Sequence, residues 1–262
     1  ENVTLAIIPI YNIGGALNRN TSTRTNQNGP IEYGFRGNAK NLDLNRDFVK
    51  MDSKNAKTFA KIYHTVNPDI LIDTHVSNGA DYQYNITHLA TQPDKLGGEL
   101  GYYLRNEMIP KLEEGMKSRG DEIIPYVNVF NTPPDEKGYT QFMDSPRYSS
   151  GYTALFGTIG FTIETHMLKP FDVRVPATYH FIETILEIAK RDAVKIKVKR
   201  KKVATQSIAG TMVPIGWELD KTKVRTLEFK GYEALYKKSE VTGFDRLYYD
   251  REKPFTKQIP YY

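Results

Sequence analysis

Two side chains with catalytic chemistry stand at the ends of short, mostly apolar segments. His75 directly follows residues 69–74, and Glu164 ends residues 159–164. Such segments are typical of strands buried in a largely parallel sheet. An imidazole can bind a metal ion, and a carboxylate can accept a proton from water. Because ligands of open α/β sheets bind outside the carboxyl ends of the strands, we expect both side chains at one site.

A long polar loop at residues 12–47 supplies further groups to the same edge. It is rich in Asn, Gly, Thr and Arg, and it includes Asn12 and the segment 36–46. Loops of this length are uncommon inside compact domains and are usually functional. Together with His75 and Glu164, the loop therefore forms a coherent candidate site.

The composition limits the kinds of site that the chain can build. The sequence has no cysteine, which excludes a disulfide scaffold, a thiolate metal site and a cysteine nucleophile. The hydrophobic fraction of 39% excludes a disordered chain, and no apolar run is long enough for a membrane span. A transition-metal site must therefore use carboxylates and histidines. The histidines are His64, His75, His88, His166 and His180.

Strand and helix patterns alternate along the first 190 residues. This alternation predicts an α/β domain with a mixed, largely parallel sheet and helices on both faces. Ser53 and Asp172 are the predicted N-cap residues of two of the helices. The predicted elements are buried strands at residues 3–10, 69–74 and 159–164 and helices at 53–66, 93–117 and 172–190.

The last quarter of the chain differs in pattern and in charge. Residues 1–193 hold 20 basic and 23 acidic side chains, whereas residues 194–262 hold 16 and 8. We predict a catalytic domain in the first range and a small β-rich module in the second. Lys195, Lys197 and Lys199 alternate with apolar residues, so we interpret the charge as a solvated strand face and expect no nucleic-acid partner. The predicted strands of the module lie around residues 194–200, 223–229, 246–250 and 256–260.

Four segments together resemble the M14 family of zinc carboxypeptidases. Their order and rough spacing match the family over about residues 3–190, and Asn-Arg within LDLNRDF is the most specific piece. The resemblance implies a zinc carboxypeptidase-like fold, a zinc cofactor, a peptide substrate with a free C-terminal carboxylate, and a secreted or periplasmic location. The segments are IIPIYN at residues 7–12, RGNAKNLDLNRDF at 36–48, DTH at 73–75 and FTIETH at 161–166.

The resemblance also implies roles for individual residues. Glu164 is the expected general base for the attacking water, and His75 is an expected zinc ligand. Asn45 and Arg46 are expected to bind the substrate's C-terminal carboxylate, because a guanidinium matches a carboxylate with two hydrogen bonds. Arg36 is expected to stabilise the oxyanion of the tetrahedral intermediate.

Some of these roles have alternatives. Arg24 is the second candidate for the oxyanion role. The family also uses a mobile tyrosine upstream of the glutamate to contact the substrate, and residues 144–152 match that stretch. Tyr148 is the first candidate for this substrate-binding tyrosine and Tyr152 is the second.

The sequence departs from the family at the first two zinc ligands. The family takes them from a His-x-x-Glu motif upstream of the strand at residues 3–10, and this sequence holds no such motif there. Its one His-x-x-Glu, at His180–Glu183, follows the catalytic strand, and we interpret it as part of a helix that covers the sheet. A catalytic zinc needs about three protein ligands. We therefore expect this chain alone to bind zinc poorly and to have little or no peptidase activity.

Several functional readings stay open beside the preferred one, a zinc-dependent metallocarboxypeptidase that hydrolyses the C-terminal peptide bond. The abrupt termini favour a piece of a longer enzyme. A protein that has lost its metal and binds peptides in the same cleft is the first alternative, and a deacylase of N-acyl amino acids on the same fold is the second. The sequence indicates neither the preferred substrate side chain nor an oligomeric state.

Overall fold

Three strands form the central sheet. Strand β1 (Ile70–Val76) pairs in parallel with β3 (Ile159–Thr165), and β3 pairs antiparallel with β2 (Ile86–Ala90), which gives the order β1-β3-β2. The sheet is therefore mixed, and the predicted strands at residues 69–74 and 159–164 are confirmed. The computed structural model describes residues 3–130, 132–206 and 209–262.

Strand β3 separates two layers of helices. Its residues Ile159, Phe161 and Ile163 are fully buried in the main core, whereas Gly160 faces the opposite side. A Cβ atom added at Gly160 would lie 2.9 Å from Ser150 Cα, so the missing side chain lets a helix approach the sheet closely. The predicted α/β fold with helices on both faces is confirmed.

The main core lies between the sheet and helices α5 (Ile109–Ser118) and α7 (Phe171–Thr205). Large apolar side chains such as Phe161 and Phe181 are fully buried there, and each contributes about 1.5–3 kcal/mol to folding. The predicted helix at residues 93–117 consists of α3 (Pro93–Leu96), α4 (Gly98–Tyr103), a π-helical turn (Leu104–Met108) and α5.

The opposite layer contains helix α2 (Lys54–Val66) and the short helix α6 (Ser149–Ala154). The Ser53 side chain accepts a hydrogen bond from the Ala56 N–H at 2.9 Å, so it is the predicted N-cap. Helix α2 ends where Asn67 adopts the left-handed conformation at φ 50°. The predicted helix at residues 53–66 is therefore confirmed.

Helix α7 extends fifteen residues beyond the end predicted at Lys190, so the strand predicted at residues 194–200 is wrong. Asp192, Ile196 and Arg200 are buried four residues apart, and this helical spacing outweighs the alternation of lysines. Arg200 donates to the Asn67 carbonyl at 3.0 Å. The helix thus contacts the segment that leads into β1.

The start of α7 also differs from the prediction. Pro170 precedes the first helical residue as N-cap, and Asp172 lies in the first turn, where its negative charge still favours the helix dipole. Although α7 has 35 residues, no helix in the described part of the chain is long and apolar enough to cross a membrane.

Residues 3–10 are wrongly predicted as a buried strand. They form no strand, and their apolar side chains are exposed, with Ile7 70% and Ile10 54% accessible. Strand β1 has no second neighbour among the described residues. An apolar run becomes a strand only when a partner satisfies its backbone N–H and C=O groups, and the described residues supply none here.

A long hairpin follows the helical part of the chain. Strands β4 (Arg225–Lys238) and β5 (Asp245–Tyr261) pair antiparallel, so the three short strands predicted beyond residue 220 form two long ones. Near its base, Phe229 and Ile259 are fully buried against the body. The division predicted near residue 193 stays a prediction; α7 has a kink beside that position, at Asp192, where φ is −103° and ψ is 15°. A three-residue 3₁₀ helix (Leu44–Arg46) and α1 (Ile13–Leu17) complete the described helices.

Candidate active site

His75 and Glu164 occupy paired positions on neighbouring strands. They lie opposite each other in the register of β1 and β3, and His75 Nδ1 is 3.7 Å from Glu164 Oε1. Both side chains are mostly buried. Glu164 has the same parity along β3 as Gly160, so it points to the layer that contains α6. The sheet therefore brings the predicted metal ligand and the predicted base together.

A carboxylate not predicted to belong to the site completes this group. Asp73 Oδ2 lies 3.0 Å from His75 Nε2 and accepts a hydrogen bond from Ser149 Oγ at 2.6 Å. Burial disfavours a charge on His75, but the Asp73 carboxylate outweighs it and raises the pKa of His75 to about 9. The raised pKa favours the protonated form of His75, which lies between the side chains of Asp73 and Glu164.

Burial has a different effect on Glu164. Loss of solvent raises the pKa of Glu164 to about 7, although the positive charge of His75 opposes the shift. A carboxyl group with a pKa near neutrality can both accept and return a proton at physiological pH. The environment of Glu164 is therefore suited to general acid–base chemistry.

Arg36 and Arg24 border this group from the long loop. Arg36 donates to Asp43 Oδ2 at 2.9 Å, and its charge lowers the pKa of both His75 and Glu164. Burial and the charge of Arg36 lower the pKa of Arg24, so the two guanidiniums lie in one region. Both candidates for the oxyanion role remain compatible with this arrangement.

Asn12 holds the arginine segment in place. Its side-chain Nδ2 donates to the carbonyl oxygens of Arg36 at 3.0 Å and Gly37 at 3.2 Å. Its Oδ1 accepts from the Gly15 N–H, which caps α1. The polar residue after the apolar run at 3–10 therefore has a positioning role in the loop.

Arg46 lies beside Tyr148. The Arg46 guanidinium is 4.5 Å from the centre of the Tyr148 ring, and its Nη1 donates to the Asn45 carbonyl at 3.0 Å. No carboxylate of the described residues is within ion-pair distance of Arg46. It borders an open depression that is lined by the basic residues Arg147 and Lys50 and by Asp43, Asp47 and Asp52. The guanidinium keeps donors free for an anionic ligand.

The backbone of Asn45 is fixed by its neighbour. Asp43 accepts a hydrogen bond from the Asn45 N–H at 3.1 Å and so caps the 3₁₀ helix. This holds the backbone of Asn45 in place beside Arg46 in the same 3₁₀ helix.

Tyr152 lies in a buried aromatic cluster on the helical layer. Its hydroxyl is 3.0 Å from His64 Nε2, and its ring packs against Phe48, Tyr63 and Phe156. The side chain is 3% exposed. Of the two predicted tyrosines, the structure brings Tyr148 to Arg46 and leaves Tyr152 inside this cluster.

The residues at this edge do not fit a catalytic zinc. Both ring nitrogens of His75, the one histidine of the group, face carboxylates. Within the described ranges, no three histidine, aspartate or glutamate side chains are arranged to hold a metal ion. His180 lies elsewhere, with Nδ1 2.6 Å from Asp121 Oδ2. A catalytic zinc site needs about three protein ligands, so this set is incomplete for zinc.

Comparison with solved structures finds distant neighbours of this chain. They are metallo-carboxypeptidases. A metallo-carboxypeptidase from Pseudomonas aeruginosa is 13% identical with a TM-score of 0.47, and one from Burkholderia cenocepacia is 14% identical with a TM-score of 0.45. Each match covers 60% of this chain and 42% of the other chain, so this chain spans about two fifths of their length. No protein-family model and no curated protein matches the sequence.

Asp73 and Ser149 belong to the site but were not predicted, and the sequence pattern could have indicated only Asp73. Asp73 and His75 are two residues apart on one strand, so their side chains point to the same face. That spacing alone predicts a contact. Ser149 had no such signal, because its contact with Asp73 spans 76 residues and depends on where α6 packs.

Proposed function

We propose that this chain provides the general base and the carboxylate-binding residues of a carboxypeptidase-like hydrolase. The observation that carries the proposal is the buried pair of Glu164 and His75 at the carboxyl edge of parallel strands. The substrate would be a peptide with a free C-terminal carboxylate. A secreted or periplasmic location is part of the proposal and rests on the resemblance to the M14 family alone.

In this proposal, Glu164 removes a proton from the attacking water and returns it to the leaving amine. Its pKa of about 7 supports both steps, because the carboxylate and the protonated acid are both populated near neutral pH. Arg36 would stabilise the negative charge that develops on the carbonyl oxygen. The resemblance implies zinc as the group that polarises the carbonyl, and the incomplete ligand set argues that this chain alone does not hold it.

Arg46 would bind the substrate's terminal carboxylate. Its guanidinium has no carboxylate partner among the described residues and is held against the Tyr148 ring. Asn45 would donate a further hydrogen bond from its side chain. A bidentate arginine–carboxylate contact selects for a free chain end, because an amidated end lacks the charge.

Peptide binding and metal analysis together test the proposal. A short peptide with a free C-terminus should bind the purified chain at least about tenfold more tightly than its amide, and Arg46→Ala should abolish the difference. Arg19→Ala is the control, because Arg19 pairs with Glu32 on the loop surface. Equal binding of acid and amide by the native chain would reject the carboxylate site.

The metal analysis tests the second candidate function, a metal-free peptide-binding module. The flanking of His75 by two carboxylates favours this candidate for the isolated chain. We expect zinc well below one equivalent per molecule after equilibration with excess metal and desalting, and no release of C-terminal amino acids. Near one equivalent of zinc with peptidase activity that Glu164→Gln removes would support the complete hydrolase and reject the metal-free module.

A further inference from the structure

Strand β5 of the hairpin contacts a buried carboxylate in the body. Arg251 Nε donates to Asp81 Oδ2 at 2.7 Å, and Asp81 is 3% exposed. Burial opposes ionisation of Asp81, but the adjacent His166 and Arg251 side chains hold its pKa below the usual value. The hairpin therefore supplies a counter-charge to an ionised group that the loop between β1 and β2 buries.

Asp81 in turn contacts the residue that follows β3. Its Oδ1 lies 3.0 Å from His166 Nε2, and His166 is fully buried. The Leu168 N–H donates to the other ring nitrogen at 3.1 Å, and the Tyr82 ring packs on the imidazole with centroids 4.3 Å apart. The ring of His166 is thus enclosed by groups that fix its orientation.

The peptide group that links Thr165 to His166 is held by the same loop at both its C=O and its N–H. The His166 N–H donates to the Asn85 carbonyl at 2.8 Å, and the Ser77 N–H donates to the Thr165 carbonyl at 2.8 Å. Glu164 is the residue immediately before this anchored pair. Its position therefore depends on the placement of the loop at residues 77–85.

The hairpin holds that loop at a second place. The Gln83 N–H donates to the Lys230 carbonyl at 3.0 Å, and the Tyr84 hydroxyl donates to the Glu228 carbonyl at 2.8 Å. These bonds connect β4 to the loop, whereas Arg251 connects β5 to it. A continuous set of contacts thus runs from the hairpin through the loop to the end of β3.

We propose that Arg251, Asp81 and His166 are positioning residues for Glu164. The β4–β5 hairpin contributes no side chain to the candidate site. It would fix the position of Glu164 through a relay formed by Arg251, Asp81 and His166. The inference rests on the proposed function in one respect, namely that Glu164 is the base. The mechanical coupling from Arg251 to β3 is independent of that role.

Amide hydrogen exchange and carboxyl-carbon NMR of the full chain test the coupling. In Arg251→Gln, the amides of Ser77 and His166 should exchange about tenfold faster than in the native chain, and the carboxyl resonance of Glu164 should shift. The matched control is Arg246→Gln on the same strand, which should leave both readouts unchanged. The amides of α5 should keep their native rates in both variants.

Two further variants separate positioning from general destabilisation. Arg251→Lys keeps the charge and should restore most of the protection at Ser77 and His166. The double variant Asp81→Asn with Arg251→Gln removes both the buried negative charge and its positive partner. The amides of Ser77 and His166 should then exchange at rates closer to those of the native chain. Identical behaviour of Arg251→Gln and Arg246→Gln would overturn the proposal, as would equal acceleration of the α5 amides.

Peptide binding keeps this proposal distinct from the proposed function. Arg251→Gln should retain the native preference for a free C-terminus, because Arg46 lies in the 3₁₀ helix beside Tyr148, outside the contacts that run from the hairpin to β3. If the native chain binds acid and amide peptides equally, the carboxypeptidase-like function fails, while the exchange data still decide whether the relay exists.

Discussion

Two histidines near the carboxyl end of the sheet each have an aspartate at the same distance. His75 Nε2 lies 3.0 Å from Asp73, and His166 Nε2 lies 3.0 Å from Asp81. Their pKa values nevertheless shift in opposite directions. The pKa of His75 rises to about 9, whereas burial lowers the pKa of His166.

The partners of each aspartate explain this contrast. Asp73 accepts from the neutral hydroxyl of Ser149, and Glu164 adds a second negative charge on the other side of His75. Asp81 instead shares its charge with Arg251, and the ring of His166 is completely enclosed. Burial together with the net charge around each imidazole therefore sets the direction of its pKa shift, and a single short distance does not.

The largest expected effect follows from Asp73→Asn. The pKa of His75 should fall by about two units or more, because the carboxylate that offsets burial is lost. Stability at pH 7 should fall by roughly 2–3 kcal/mol. An NMR titration of the imidazole and urea unfolding measure the two quantities. Asp81→Asn is the control and should leave the pKa of His75 near 9; a native-like titration of Asp73→Asn would contradict the explanation.

The pH dependence of stability should show the same contrast. His75 has a folded pKa above its unfolded value of about 6.5, so its contribution is complete below pH 6.5 and is lost as pH rises through about 9. His166 has a lowered folded pKa, so its effect has the opposite sign and reduces stability as pH falls below about 6.5. Urea unfolding between pH 5 and pH 9.5, in steps of roughly half a unit, measures both slopes.

A matched substitution isolates the alkaline slope. His75→Gln should lose the histidine's share of this decline and keep the share of Glu164, whose raised pKa also makes stability fall as pH rises, whereas His64→Gln should keep the native slope. A native slope in His75→Gln would assign the effect to other groups.

A smaller effect on stability is expected from a substitution at Asp81, beside His166. Asp81→Asn should lower the free energy of unfolding by about 1–2 kcal/mol, because it removes the buried partner of Arg251, whose own side chain is half exposed. Chemical denaturation measures the loss. Arg246→Gln on the same hairpin should change stability by less than about 0.5 kcal/mol. Equal stability of Asp81→Asn and the native chain would show that the buried carboxylate is not a stabilising contact.

Arg36→Ala should have the smallest effect. Its loss should raise the pKa of both Glu164 and His75 slightly, because its positive charge lowers both in the native chain. The side chain is half exposed, so the change should shrink further at high salt. NMR titration of both groups measures it, with Arg19→Ala as control. A shift that is independent of salt, or one of opposite direction, would argue against a direct charge effect.

Elements with local signals could be predicted from the sequence. The Ser53 cap and the left-handed Asn67 mark both ends of α2, and β3 is a short apolar run with turn residues before it. Residues 3–10 show the same apolar signal as β3, yet only β3 has strand neighbours on both sides. Strand β2 (Ile86–Ala90) was not predicted, because five residues with a central Thr-His give little periodicity.

The candidate site could be predicted only in part. His75 and Glu164 meet because strand ends in a parallel pair lie at one edge, and that rule needs no side-chain detail. The burial of Tyr152 and the contact of Ser149 with Asp73 depend on how α6 packs on the sheet. Such contacts between distant segments are decided by tertiary packing and leave no mark in local patterns.

The register of β1 and β3 also bears on how the chain folds. Every pair in this ladder joins residues 89 positions apart, from Ile70 with Ile159 to Val76 with Thr165. Closing so long a loop costs chain entropy before the paired strands return any contact energy, which slows folding. The β4–β5 hairpin joins residues from 7 positions apart, at Lys238 and Asp245, to 36 positions apart, at Arg225 and Tyr261, so it can start to form at its turn within about 10 microseconds. We therefore expect the β4–β5 hairpin to form early in folding. His75 and Glu164 should come together later, when β1 pairs with β3.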